Sequence, residues 1–253
     1  MQALERAERF HTLHQKGAPL VLFNIWDVGS ALTIAKAGAD ALATGSWSIA
    51  SAQGFGDGEK IPRQLLMDML LRITTATELP VSVDLESGYG ETLEAVAETL
   101  ALSVKVGAIG CNLEDSYPAD GSLREVKAAA LRIRAARRAV EAACPRYFIN
   151  ARTDVFFQAS AAGHQDSMVE EVLARARAYA EAGANGLFVP GLNDLALIRK
   201  LTSESPLPLN VMRLRESPTI AELAAAGVAR TSHGPYPYLL AMQALEQAAR
   251  AAK

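Results

Sequence analysis

The chain has 253 residues, half of them hydrophobic and 21% charged, with a formal net charge of −3. That balance belongs to a folded chain with a sizeable core rather than a disordered one, and its interspersed acids and bases form no basic stripe for nucleic-acid phosphates and no cationic face for anionic lipid. No apolar run approaches the roughly 18 residues of a spanning helix, and Cys111 and Cys144, the two cysteines, make no disulfide framework and lack metal-ligand spacing, so a cytoplasmic protein with reduced thiols is expected.

In chain order, the opening segment MQALERAERFHTLHQKG reads as a charged amphipathic helix without the apolar centre of a signal peptide, with His11 and His14 on its surface. Short apolar or β-branched runs follow near 20–26, 41–46, 81–86, 108–114, 147–153, 186–190, 207–212 and 230–233. Between them lie stretches rich in Ala, Leu, Glu and Arg at helical spacing, among them 63–77, 92–106, 123–143, 167–182 and 220–226. Four helices run into similar glycine turns, AKAGADALA, VKVGAIGCN, AEAGANGLF and AAAGVARTS, where glycine supplies a left-handed cap. Eight strand–helix units predict a (β/α)8 TIM barrel occupying 1–253 as one domain, with an open doubly wound sheet as the alternative.

Side chains alternate along a strand, so in a barrel the more apolar parity faces the helices and the odd polar residues face the axis. The third strand, VSVDLE, then points Ser82, Asp84 and Glu86 inward. The fourth contributes Asn112 and Glu114, with Cys111 facing the helices; the fifth contributes Phe148, Asn150 and Arg152; Asn24 and Trp26, Thr44 and Ser46, and Asn210 come from the first, second and seventh. These residues lie near C-terminal strand ends, the rim where such barrels carry their sites. An internal, fully hydrogen-bonded polar network is the competing reading. Asp84, Glu86 and Glu114 would repel one another unless a cation or protons relieved them, and all-oxygen ligands favour Mg2+ or Mn2+ over zinc. Arg152 offers a fork for a substrate carboxylate, Ser46 and the amides of the TGSWS turn could hold another carboxylate oxygen, and Gly88 and Gly90 would let the chain turn tightly past the metal.

The motifs Asn24-Ile25-Trp26-Asp27, Thr44-Gly45-Ser46, Asp84-Leu85-Glu86-Ser87-Gly88-Tyr89-Gly90, Asn112-Leu113-Glu114-Asp115 and Asn150-Ala151-Arg152-Thr153-Asp154 together resemble the isocitrate lyase/phosphoenolpyruvate mutase superfamily, in order and over nearly the whole chain. The resemblance implies a Mg2+-dependent barrel acting on small 2-oxo or 2-hydroxy carboxylic acids through a metal-stabilised, pyruvate-like enolate. It makes Asp84, Glu86 and Glu114 the metal site, partly through waters, and Asp57 of GFGDGE a mobile-loop acid beside it. Gly45, Ser46, the Trp47 amide and Arg152 become the carboxylate holders. It also implies a homotetramer whose C-terminal helix packs on a neighbouring subunit.

The chain departs from the family after the fourth strand. Carbon–carbon lyases of the superfamily carry a Lys-Lys-Cys-Gly-His or Lys-Arg-Cys-Gly-His loop there, whereas this chain reads EDSYPADGSLRE. The lysine- and asparagine-bearing loop of the phosphonate enzymes is absent as well. Tyr117 and Asp120 are the replacement proton donors to consider, His233 is either a rim acid/base or a structural residue, His164 is placed on a loop that could act as a lid, and Trp26, Trp47 and Asn210 are assigned to the pocket wall. A Mg2+-dependent lyase or decarboxylase, oxaloacetate decarboxylation included, is the leading expectation. Phosphonopyruvate hydrolase or mutase chemistry, and a non-catalytic 2-oxo acid-binding barrel, are the alternatives.

Overall fold

Strand and helix alternate along the computed structural model, which describes residues 2–252. The elements run α1 (Gln2–Thr12), β1 (Leu20–Leu22), α2 (Val28–Lys36), β2 (Leu42–Ala43), α3 (Ser46–Ala52), α4 (Arg63–Thr75), β3 (Val81–Asp84), α5 (Leu93–Lys105), β4 (Gly110–Glu114) and α6 (Val126–Glu141). They continue with β5 (Phe148–Arg152), two short 3-10 turns (Val155–Phe157 and Ala161–Gly163), α7 (Asp166–Ala182), β6 (Gly186–Val189), α8 (Leu195–Glu204), β7 (Leu209–Met212), α9 (Ile220–Ala225), β8 (Arg230–Ser232) and α10 (Tyr236–Ala251). All eight predicted strands form, each shorter than its apolar run. The four predicted glycine turns do what the pattern requires: Gly38, Gly107, Gly183 and Gly227 have φ of +92°, +90°, +102° and +84°.

The strands are parallel in the order β1-β8-β7-β6-β5-β4-β3-β2. A single parallel bridge between Ile25 and Thr44, just past β1 and β2, brings the two ends of this sheet together into a nearly closed (β/α)8 barrel. Val83, Cys111, Ile149 and Leu187 are buried toward the helical layer. The opposite parity fills the barrel. Asn150 donates to Asn112 (2.9 Å) and to Asn210 (3.0 Å), and the fully buried Arg230 donates to Asn112 (3.3 Å). An internal polar network therefore exists, but it lies beneath the rim and contains none of the three acids.

The N-terminal helix closes the bottom. Phe10 meets Phe148 edge-on with ring centroids 5.4 Å apart, and His14 stacks on Phe148 at 4.0 Å. The expectation that His11 and His14 are surface residues is corrected for His14, while His11 stays half-exposed. His11 packs 4.9 Å from Phe148, and burial with the nearby Arg230 charge lowers the pKa of His14 to about 3. The helix thus contributes aromatic packing to the barrel floor.

Candidate active site

The TGSWS segment, expected as a turn, starts a helix: Gly45 caps α3 and Ser46 and Trp47 are its first residues. That start faces Asp84 at the end of β3. The Ser46 amide donates to one Asp84 carboxylate oxygen at 3.3 Å and the Glu86 amide to the other at 3.4 Å, both long, while the Asp84 amide donates to Thr44 Oγ1 at 3.0 Å. Asp84 is fixed by its backbone and only weakly bonded through its carboxylate.

The other acids are better held. Glu86 accepts from the Glu59 amide (2.7 Å) and from the Tyr89 hydroxyl (3.1 Å), and burial together with the Asp84 and Asp57 charges pushes its pKa up to about 7. Glu114 accepts from Ser116 Oγ (3.1 Å) and pairs with Arg152 Nη1 (2.9 Å), its register partner on β5. Burial raises the Glu114 pKa and the Arg152 charge works against that rise. Arg152 is gripped from its other side by Asp154, with Nε at 2.7 Å and Nη2 at 3.0 Å. Burial opposes its charge, but Glu114 and Asp154 outweigh that and keep the guanidinium protonated. Of five guanidinium N–H groups three are bonded to these carboxylates, which leaves two.

A second tie joins the two loops that carry the acids. Glu59, two residues beyond Asp57, accepts from Ser87 Oγ (2.7 Å) and from the Tyr89 amide (2.8 Å), while its own amide bonds Glu86. From behind, the buried Arg132 of α6 donates to the carbonyls of Ser87, Gly90 and Glu91. Among the described residues the only non-glycine positions with positive φ are Glu59 (59°), Glu86 (50°) and Tyr89 (56°), all within this clasp. Each such conformation costs on the order of 1–3 kcal/mol and persists only where its surroundings impose it. Gly88 has the expected left-handed φ of +105°, but Gly90 serves closeness instead, since a Cβ there would lie 2.4 Å from Ala95 Cβ.

These loops enclose a cavity of about 200 Å³ at the C-terminal rim of the barrel, lined by Ser46, Trp47, Asp57, Asp84 and Arg152 among others. Loss of hydration, then the Asp84 charge, raises the pKa of Asp57. Several expected site residues stand apart. The Trp26 ring meets Tyr238 edge-on at 5.2 Å and lines a separate groove beside α10. Asn210 is buried below the rim in the asparagine network. Tyr117 is 38% exposed with its ring under the Arg124 guanidinium, 3.9 Å away. His233 bonds the Leu22 carbonyl (3.0 Å) and packs on Phe23, and His164 bonds the Phe156 carbonyl (3.0 Å). Cys111 is buried on the helix side, with its thiol pushed up to about 12. Glu59 and Asp154 went unassigned from sequence; Asp154 had a usable signal, since it lies two residues beyond Arg152.

Whether the acids suit a cation is a question of free oxygen. Among the described residues no three acidic, histidine or cysteine side chains close on one point as a ready cage. Asp84 has the weakly bonded carboxylate that a direct ligand needs, whereas Glu86 and Glu114 are engaged by protein donors and would reach a cation through water. Mg2+ characteristically keeps several waters and takes one or two carboxylates, so the donor set fits it.

The phosphoenolpyruvate phosphomutase family model matches residues 10–253. The chain belongs to the isocitrate lyase/phosphoenolpyruvate mutase superfamily. Among its superfamily relatives, a crystal structure of a provisionally named phosphonomutase from Burkholderia cenocepacia J2315 is 60% identical, with a TM-score of 0.97 and 99% of this chain and 100% of that one covered. Rv1998c of Mycobacterium tuberculosis, a protein of uncharacterised function, is 36% identical across 96% of this chain and 88% of its own length. The 2-methylisocitrate lyase of Escherichia coli K12 is 32% identical across 95% of this chain and 80% of its own. The superfamily is one of lyases and mutases, and the chain is an enzyme of that class.

Proposed function

We propose that the chain is a Mg2+-dependent carbon–carbon lyase or decarboxylase acting on a small 2-oxo or 2-hydroxy carboxylic acid by way of a pyruvate-like enolate. The observation that carries this reading is the convergence of the weakly bonded Asp84 carboxylate and the Arg152 guanidinium on one cavity. Ser46, the Trp47 amide and the two remaining Arg152 N–H groups hold the substrate carboxylate. Asp154 and Glu114 set the plane of the arginine. Asp84 would hold the Mg2+ directly and Glu86 and Glu114 through water; when bound, the ion supplies positive charge against oxyanion character developing on the substrate. For a 2-oxo acid the C3–C4 bond breaks, C4 leaving as carbon dioxide or a carbonyl compound; the electron pair left on C3 delocalises into the C2 carbonyl as an enolate, and C3 then takes a proton. Asp57, whose raised pKa suits it to carrying a proton, is the acid or base nearest this step.

Carbon–phosphorus chemistry is the second reading, and the phosphonomutase name given to the Burkholderia structure favours it. The chain is further proposed to be a homotetramer. Leu239, Leu240, Met242 and Leu245 of α10 are 37–64% exposed, an apolar face suited to a neighbouring subunit.

The direct test is pyruvate release, coupled to lactate dehydrogenase, from oxaloacetate, substituted malates, methylisocitrate and phosphonopyruvate, with Mg2+ and with chelator. Metal-dependent release from one compound, well above its spontaneous breakdown, is expected. Release from none would remove the reading.

A further inference from the structure

The cavity lining mixes two chemistries. Ser46, Asp57, Asp84 and Arg152 supply ionic and hydroxyl groups; Phe157, Phe188, Pro190, Met212 and Pro235 supply apolar surface, and Asn24, Asn112 and Ser232 are its other polar side chains. Arg152 is the sole cation among the described residues lining it, and its guanidinium already answers Glu114 and Asp154. The other polar residues of the wall are neutral and only partly engaged: Ser232 Oγ accepts from Asn210, and the Asn112 side-chain N–H groups have no partner among the described residues. Asn24 donates to the Thr44 carbonyl (3.0 Å) and accepts from the His233 and Gly234 amides (2.8 and 2.9 Å). The Asn112 oxygen accepts from Asn150 and Arg230. Phe157 and Phe188 flank Arg152, their centroids 5.7 and 5.8 Å from the guanidinium carbon. Phe157 is 48% exposed at the mouth, a large apolar surface the fold itself does not need.

A ligand whose carboxylate sits at Ser46 and Arg152 therefore lies in a cavity whose remaining lining offers it apolar surface and no second cation. We infer that the substrate is a 2-oxo or 2-hydroxy acid whose departing portion is uncharged and apolar, such as an alkyl-bearing carbon that leaves as an aldehyde. A phosphonate or a second lasting carboxylate would enter a lining with no second cation to meet it, and burying an anion without a counter-charge is costly. The inference deepens the lyase reading and rests on its placement of the substrate carboxylate. For a 4-hydroxy-2-oxo acid the step balances without a co-reactant: the hydroxyl proton goes to a base, the C3–C4 bond breaks to leave an aldehyde, its electron pair forms the pyruvate enolate, and C3 takes back a proton.

Matched probes test this. 4-Hydroxy-2-oxopentanoate and 4-hydroxy-2-oxoglutarate differ only in a terminal methyl against a carboxylate, and both release pyruvate. The methyl compound should be favoured at least about tenfold in kcat/KM, and Met212→Arg, which puts a cation in the apolar wall, should reverse the order. The unreactive pair 2-oxopentanoate and 2-oxoglutarate, measured by calorimetry, should rank the same way. Tighter binding of 2-oxopentanoate with no turnover of any compound would uphold the inference and defeat the lyase reading. Preference for the dicarboxylate in both pairs, or binding of neither unreactive acid, would overturn the inference.

Discussion

Two loops at the mouth of the barrel carry acids and tyrosines, and they are built in opposite ways. The loop after β3 is held on both sides: Glu59 grips Ser87 and Tyr89 in front and Arg132 takes three carbonyls behind. The loop after β4 folds on itself, with a bridge between Ser116 and Leu123 and the Tyr117 amide bonded to the Ser122 carbonyl, and Tyr117 turns outward. Among the described residues, positive φ at non-glycine positions is found only in the first of them and its partner loop. A loop that must aim carboxylates needs its geometry over-determined; one that merely returns the chain from strand to helix does not. The contrast supports the proposal that the chemistry lies on the β3 side, with Tyr117, a proton-donor candidate from the sequence, outside it.

Removing the clasp should have the larger effect. Glu59→Ala should lower kcat/KM by about tenfold to a hundredfold, the range typical of residues that orient a site from behind, while Glu59→Gln, which can still accept from Ser87 and Tyr89, should recover most of it. Loss of activity in both variants alike would assign Glu59 a charge role rather than a positioning one. Tyr117→Phe, on the other loop, should change steady-state rates less than about twofold, since its hydroxyl lies outside the cavity.

The same comparison has a pH signature. Glu86 has a pKa raised to about 7 in the folded state against 4.5 for an ordinary glutamate. At this group the folded protein binds more protons than the unfolded chain between these values, so the Glu86 contribution to the stability of the metal-free protein should fall as pH rises from about 4.5 to about 7, against an opposite contribution from His14, whose pKa is lowered. Glu86→Gln should flatten that slope in thermal melts across the window, and Tyr117→Phe should leave it unchanged. The titration belongs to the acidic cluster as a whole, because Asp84 and Asp57 contribute to the shift. An unchanged slope in Glu86→Gln would mean that Glu86 does not hold the extra proton.

The inward parity of β3, β4 and β5 was legible because it rests on a period of two, which survives in any parallel barrel. That pattern placed Asp84, Asn112, Glu114 and Arg152 on the axis side, and placed Cys111 away from it. Contacts between loops were not legible. Glu59 looks like an ordinary loop acid until folding brings it 2.7 Å from Ser87, 28 positions later. Trp26 looked like a wall residue because the first strand was expected to continue through it, whereas β1 ends at Leu22 and the ring turns toward Tyr238. Asn210 had the right parity at the wrong height. Parity reports a face and says little about depth.

Asp84 is proposed to hold the cation on which bond cleavage depends. The measurement that tests it most directly is Mg2+ binding by calorimetry together with pyruvate release in Asp84→Ala, using the compound the wild-type protein turns over best. Loss of measurable Mg2+ binding and a fall in turnover of about a hundredfold or more are expected. Undiminished turnover in that variant would contradict the assignment.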